Sequence, residues 1–408
     1  MVMPLLFLTP ALSEAAQIRG NSTTIFKMYD ETFVDDDSNH ARLQEYFSLS
    51  IDNLPVEGLS FYTNGHVSFE ADEGLNSDAI DPWLNIIYLD WIDSEYSKSI
   101  RAGRQFIYLG VTNAIIDGVL GRYSNSNGLG IGLYAGTTVD GSTGGFEGNN
   151  AVGTRLHYNM DRQKEIGLSY ANESDSSEPA KENIGVDGFY NVNDRLELYG
   201  HMYYDLIAEG LYDLELYSLY QHSQQLTVSV DYNHTVPSLL LDKTSIFWVF
   251  SVDRQRDIGI DIDYNLTALT TINGHYRYYD YEAGDSAHSY GAGAKLRYGA
   301  NADHYAIGKI NRYDDVVGGY YELQLLNRYK LKKKISLASD IFLVLLDNKT
   351  LDSDYSFSMG GDIRYAATKK LTLELGLDYR STPFYDSEVR STFKVLYNFA
   401  FDTARTKT

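Results

Sequence analysis

Along most of this chain apolar and polar residues alternate with period two, in segment after segment of roughly ten residues. Leu371, Leu373, Leu375, Leu377 and Tyr379 share one face, and Thr372, Glu374, Gly376, Asp378 and Arg380 the other. The same division sets Ile258, Ile260, Ile262 and Tyr264 against Gly259, Asp261, Asp263 and Asn265, and Leu226, Val228, Val230 and Tyr232 against Thr227, Ser229 and Asp231. A strand turns successive side chains to opposite sides, so each segment predicts a strand with a greasy face and a charged face. A tilted strand crosses a bilayer in about ten residues.

Soluble sandwiches alternate as well, and the end of the chain separates the two cases. Phe393, Val395, Tyr397, Phe399 and Phe401 put an aromatic or apolar residue at each outward position of a final strand. This is similar to the C-terminal signal by which outer-membrane proteins are recognised for barrel assembly, although Asp402 to Thr408 extend beyond it. The fold class expected is therefore all-β, a single closed antiparallel transmembrane β-barrel. Its predicted place is the outer membrane of a Gram-negative bacterium, with both termini on the periplasmic side and with outer-membrane lipid, lipopolysaccharide and the barrel-assembly machinery as partners.

Connections sort into short turns and long loops, as such barrels require. Short turns are expected at Asn53 to Glu57, Asp161 to Lys164, Asn191 to Asp194 and Thr368 to Lys370; the long, acidic connections include Asp35 to Asp37, Asp72-Glu73, Glu173 to Glu178, Asp280 to Asp285, Asp347 to Asp354 and Asp386 to Glu388. Basic residues gather at the other end, in Lys330, Lys332, Lys333 and Lys334 and in Lys369 and Lys370. Alternating long with short connections gives about 22 strands, with 20 to 24 as the range. Thr235 to Arg256 contains the continuously apolar Ser245 to Phe250, which fits a rim loop, an in-folded segment or an extra hairpin.

Composition narrows the class further. Tyr occurs 35 times against 7 Pro and 34 Gly, a balance suited to aromatic strands joined by turns. No apolar run reaches about 18 residues, which excludes a helical membrane protein. The absence of Cys excludes disulfides, thiolate metal sites and the sequence that attaches c-type haem. A net charge of -22 excludes nucleic acid as a partner; an acidic lumen would favour cations, whereas acids confined to solvated loops would not. At the N-terminus, Val2 to Leu8 and Thr9 to Leu12 form an apolar run before Ser13-Glu14-Ala15-Ala16. Residues 1–16 are accordingly expected to be a signal peptide cleaved near Ala15 or Ala16, without the usual leading Lys or Arg, and residues 17–408 the barrel.

Catalytic signatures are missing: there is no G-x-S-x-G elbow and no H-E-x-x-H pair. Gly284-Asp285-Ser286-Ala287-His288 places Asp, Ser and His in one short stretch, but a triad is assembled across a fold, so this reads as a polar loop. Gly128-Leu129-Gly130-Ile131-Gly132 lacks dinucleotide-site spacing and reads as a strand whose glycines make room for a bulky lumen neighbour or a bend. No enzyme activity, metal or cofactor is expected of this chain. The alternation assigns Asp261, Asp263, His275, Arg277, Lys295, Arg297, Glu374, Asp378 and Arg380 to the lumen wall, where facing charges sort permeant ions or pair with one another.

Three stretches carry a family resemblance: Arg19 to Phe26, Gly103-Arg104-Gln105-Phe106 followed by Asp117-Gly118, and Phe384 to Asp402. The middle one recurs in monomeric outer-membrane porins. Together they resemble the porin subunits of porin-cytochrome conduits for extracellular electron transfer. The resemblance implies a sheath through which a multihaem c-type cytochrome threads, and the lack of Cys means that any haem belongs to that partner. Barrels of about 22 strands are commonly plugged, and no connection in this sequence has the size of a plug domain. An empty lumen would leak, so the favoured expectation is the cytochrome sheath; the alternative is a monomeric diffusion porin for ions and small solutes, cation-preferring where its lumen is acidic.

Overall fold

The computed structural model describes residues 16–33, 36–70, 80–93, 95–139, 146–161, 163–175, 178–240, 254–282, 284–299, 301–316, 318–350, 353–383 and 385–402. Its strands are β1 (Gln17–Phe33), β2 (Asp36–Asp52), β3 (Leu59–Glu70), β4 (Ile80–Ile92), β5 (Lys98–Leu109), β6 (Thr112–Ser124), β7 (Leu129–Val139) and β8 (Phe146–Asp161). They continue with β9 (Lys164–Asp175), β10 (Glu178–Asn193), β11 (Leu196–Asp205), β12 (Gly210–Gln221), β13 (Leu226–Thr235), β14 (Gln255–Asn265) and β15 (Thr270–Tyr281). The last are β16 (Ser286–Tyr298), β17 (His304–Asp315), β18 (Gly318–Lys332), β19 (Ile335–Thr350), β20 (Ser353–Ala366), β21 (Leu371–Thr382) and β22 (Tyr385–Asp402). Each pairs antiparallel with its chain neighbour, and β1 meets β22 from Gln17 opposite Asp402 to Tyr29 opposite Arg390. The sheet is a closed 22-stranded barrel. Closure gives every strand two partners, the condition for placing backbone N–H and C=O groups in hydrocarbon.

Side chains divide as the alternation predicts. Outward-facing Leu375 and Leu377 are 55% and 60% exposed, and Ile258, Ile260 and Ile262 are exposed beside them in type. Phe393, Tyr397 and Phe401 are exposed on the outer face of β22 and Phe399 stacks between the latter two, its ring covering Gly20 of β1 across the closing seam. A carboxylate stands within this apolar face. Glu45 of β2 lies opposite Thr24 of β1 on the outer face and accepts hydrogen bonds from Ser22 Oγ and Thr24 Oγ1. Tyr is not confined outside: Tyr29 stacks on His40, Tyr46 on His66 and Tyr313 on Tyr320 along the lumen wall.

Residues Met1 to Ala15 lie outside the described residues, and β1 begins at Gln17. The short turns fall at the end of the barrel shared by both termini, with Asn53 and Gly58 in left-handed conformations between β2 and β3. Several stretches read as long acidic loops are instead strand extensions. β9 runs to Asp175 with β10 starting at Glu178, β19 reaches Thr350 with β20 starting at Ser353, and β22 starts at Tyr385. The ladder continues there because backbone bonds carry on across each hairpin and acids find cross-strand cations, as Glu173 does in Lys181 at 3.6 Å. Within the Thr235–Arg256 connection, α1 (Pro237–Leu240) is a single turn and residues 241–253 lie outside the described ones.

Candidate constriction site

The β5–β6 hairpin leaves the barrel wall and enters the lumen. Pairing between β4 and β5 stops at Ile87 opposite Arg104, and pairing between β6 and β7 stops at Ile116 opposite Thr138, while β5 and β6 stay paired to Leu109 opposite Thr112. The bend occurs at a row of glycines. Gly103, Gly118 and Gly136 face one another across β5, β6 and β7. A Cβ on Gly118 would sit 2.2 Å from the Ala135 carbonyl oxygen, and one on Gly103, whose φ is +127°, would sit 2.3 Å from the Ile87 carbonyl oxygen. Only glycine permits so close an approach of backbones.

The residues following each glycine hold the bend. Arg104 Nε and Nη2 donate to the two carboxylate oxygens of Asp117 at 2.9 and 2.8 Å, and Arg104 Nη1 donates to the Leu84 carbonyl of β4 at 3.2 Å. Gln105 is wholly buried, and its Nε2 donates to the Gly118 carbonyl at 3.1 Å. A bend strips carbonyls of their ladder partners, and a buried side-chain amide replaces them.

Beyond the bend the hairpin lies on the inner wall. Ile107 and Ile116, both with no exposed surface, join Leu109, Leu120, Tyr134 and Ala151 in one apolar cluster. Gly132 of β7 is the seat for Leu109, whose Cδ1 is 2.7 Å from where a Cβ would stand. The spaced glycines of Gly128 to Gly132 thus make room for a bulky lumen neighbour, as their pattern predicts. At the tip, Val111 N donates to Ser169 Oγ of β9 at 2.9 Å, and Tyr203 Oη of β11 donates to the Gly110 carbonyl at 3.1 Å. Val111 also packs with Ala171 and Tyr212, and with Val236 and Leu239 at the start of the β13–β14 connection. That connection therefore begins by turning inward onto the tip. Under the tip a cavity of about 320 Å³ is lined by Tyr108, Arg122, Arg155, Glu165, Asp187 and Tyr199. Its charges are linked: Arg155 Nη2 donates to Glu165 at 2.6 Å, and Arg155 also pairs with Asp187.

The lumen candidates read from the alternation sit on the lumen parity of β14–β16 and β21. Arg277 bridges Asp231 and Asp257 from three neighbouring strands, and Gly259 lies between them in register. Glu374 pairs with Lys394 at 3.0 Å. Asp378 lies opposite Gly360, which Asp340 faces from β19. Asp261 faces His275, while Asp263, Lys295, Arg297 and Arg380 are spread along the wall. The structure does not gather these nine into one site. The ion pairs at the hairpin, Arg104 with Asp117 at the bend and Arg155 with Glu165 and Asp187 under the tip, are absent from that reading. No connection of plug-domain size is needed for this chain to narrow its own lumen: the β5–β6 hairpin, closed by the two residues Gly110 and Val111, enters it. Within Gly284 to His288, His288 is a strand residue whose Nδ1 is 2.8 Å from Tyr276 Oη.

Fold and constriction define the class as a 22-stranded barrel of the outer-membrane type with an internal hairpin. The sequence matches no family model and no curated protein. Among solved structures the chain is similar to the translocation pore of the P pilus usher PapC, with a TM-score of 0.52 and 8% identity over 94% of this chain and 99% of that one. It is also similar to Pseudomonas aeruginosa OpdK with vanillate, with a TM-score of 0.47 and 11% identity over 96% and 100% of the chains. Pseudomonas putida OprB aligns with a TM-score of 0.38 and 10% identity over 95% and 94%. At such identity the likeness is one of fold.

Proposed function

We propose that this chain is an outer-membrane diffusion channel for small solutes, with its bore set by the β5–β6 hairpin. The observation that carries this reading is the docked hairpin, because barrels of this strand number need an occluding element and here the chain supplies its own. The apolar outer belt supports insertion in lipid, and the outward aromatic pattern of Phe393 to Phe401 supports recognition by the assembly machinery. The polar, largely ion-paired wall supports an aqueous path between the hairpin and β13–β22.

A sheath for a multihaem cytochrome is the competing reading and rests on the resemblance of the three stretches. The hairpin occupies lumen that a threaded partner needs, and the Gly103-Arg104-Gln105 and Asp117-Gly118 stretches have a sufficient explanation in making the bend. Purified, refolded protein in planar bilayers tests the proposal. Stable unitary conductance from the barrel alone is expected; a silent barrel that co-purifies from native membranes with a haem protein would overturn it in favour of the sheath.

A further inference from the structure

Many cations of the barrel wall and of the hairpin are neutralised locally. Arg101, Arg104, Arg155 and Arg277 each hold a carboxylate at ion-pair distance, as do Arg390 and Lys394. The sector formed by the periplasmic ends of β16, β17, β18 and β20 differs. Lys295 and Arg297 of β16, Arg328 of β18 and Arg364 of β20 share the lumen parity, and Lys332, beyond the bulge at the end of β18, lines the same mouth. Among the described residues none of these five has a carboxylate within 4 Å. The carboxylates nearby are engaged or few: Asp303 holds Lys330 at 3.3 Å, Glu374 holds Lys394, and Asp362 stands in the wall of β20.

The geometry brings these cations to a focus. Arg297, Tyr305 and Arg328 lie in one row across three adjacent strands. Lys295 Nζ and Arg328 Cζ each stand 5.9 Å from the centre of the Tyr305 ring, so the ring separates two cationic groups. A cavity opens on each side of this row. One, of about 420 Å³, is lined by Lys295 and Arg297 with the amides of Gln224, Gln225 and Asn265. The other, of about 340 Å³, is lined by Arg328, Lys332, Lys333 and Arg364. Both reach the size of small-ligand pockets, roughly 300 Å³ and upward. Guanidinium forks, ammonium groups and amide donors are the chemistry that binds carboxylate and phosphate oxygens.

We propose that this sector is an anion-binding site at the periplasmic mouth, which takes a small solute bearing two or more carboxylate or phosphate groups during transit. The proposal deepens the channel reading and rests on it. The chain's net charge of -22 does not oppose it, since acids such as Asp314, Asp315 and Asp347 lie at the other end of the strands. Charge fixed with opposite signs at the two ends gives a field along the axis that draws an anion past the constriction toward the basic mouth.

Citrate and pyrophosphate are suitable probes. Calorimetric titration of the detergent-solubilised barrel is expected to show saturable binding that weakens with added salt. The triple variant Lys295→Gln, Arg328→Gln, Arg364→Gln should weaken it at least tenfold while keeping the strand circular dichroism of the parent. Binding of citrate alone, or of pyrophosphate alone, identifies the anion class. In bilayers, the same probes added to each side in turn should block current more strongly from the Lys332 side. Binding does not require conduction, so the two readings fail separately: conductance without saturable binding of either probe overturns the site, and binding in a silent barrel overturns the channel. Binding left unchanged by the triple variant also overturns the site.

Discussion

Truncating Ile107 to alanine should loosen the constriction without opening the barrel wall. Ile107 is wholly buried and belongs to the cluster formed with Ile116, Leu109, Leu120, Tyr134 and Ala151. An Ile→Ala change in a packed site costs about 2–5 kcal/mol. The wall strands keep their ladders in either hairpin position, so this loss falls on docking. Taking about 3 kcal/mol, with about 1.4 kcal/mol per tenfold, the undocked population rises roughly 150-fold. Adding Tyr203→Phe removes the hydrogen bond to the Gly110 carbonyl and about 1 kcal/mol more. Single-channel recording should show current bursts of larger amplitude in Ile107→Ala, more frequent in the double variant, and none in Leu377→Ala on the outer face. Wild-type mean current and noise in a correctly refolded double variant would refute the assignment of the hairpin as the bore-setting element.

Four further outcomes follow from other parts of the wall. Arg277→Met should lower stability in urea unfolding by about 3 kcal/mol by stranding Asp231 and Asp257, both under 10% exposed, and adding Asp231→Asn should recover part of it. Glu45→Leu should raise stability by about 1–2 kcal/mol in lipid vesicles, since a carboxylate on the outer face is costly there; equal or lower stability would mean that Glu45 does not face hydrocarbon. A cysteine introduced at Ser353 should react with an impermeant reagent on intact cells, and one at Ser336 should not. Asp93, in the β4–β5 turn, is held below its ordinary 3.8 by the Lys98 and Ser97 backbone N–H groups and the Ser97 hydroxyl. Its turn-stabilising effect is present above that value and lost as pH falls below it, so protection of the Ser97 and Lys98 amides, taken as exchange relative to the intrinsic rate at each pH, should fall only in that acid range.

The strand count and the two faces were legible because period-two alternation follows from backbone geometry and needs no knowledge of neighbours. The final strand was legible for the same reason, with Phe393, Tyr397 and Phe401 on the outer face as expected. The inward hairpin was not. Through β5 the alternation simply continues, and what marks the segment is that both faces become apolar, Ile107 and Leu109 on one and Phe106 and Tyr108 on the other. Its destination depends on Ser169, Tyr203 and Tyr212, which are 58 to 93 residues or more away, and local pattern carries no such information. The nine lumen candidates share one parity on β14, β15, β16 and β21 and lie on the wall away from the tip. Arg155 escaped because a single cation between Thr154 and Leu156 resembles any other lumen charge until Glu165 and Asp187 are brought beside it.

The docking partners of the hairpin tip also have an order in the chain. Ser169, Tyr203, Tyr212 and Leu239 all come after it, so synthesis from the N-terminus produces the tip before the surface that receives it. A barrel inserted from its C-terminal strand, the one with the outward aromatic row, presents that surface first. The tip then arrives at a finished dock, and its apolar face, Ile107, Leu109 and Ile116, is spared a free choice between lumen and lipid. On this account the timing of insertion, as much as the final contacts, decides which side of the wall the hairpin occupies.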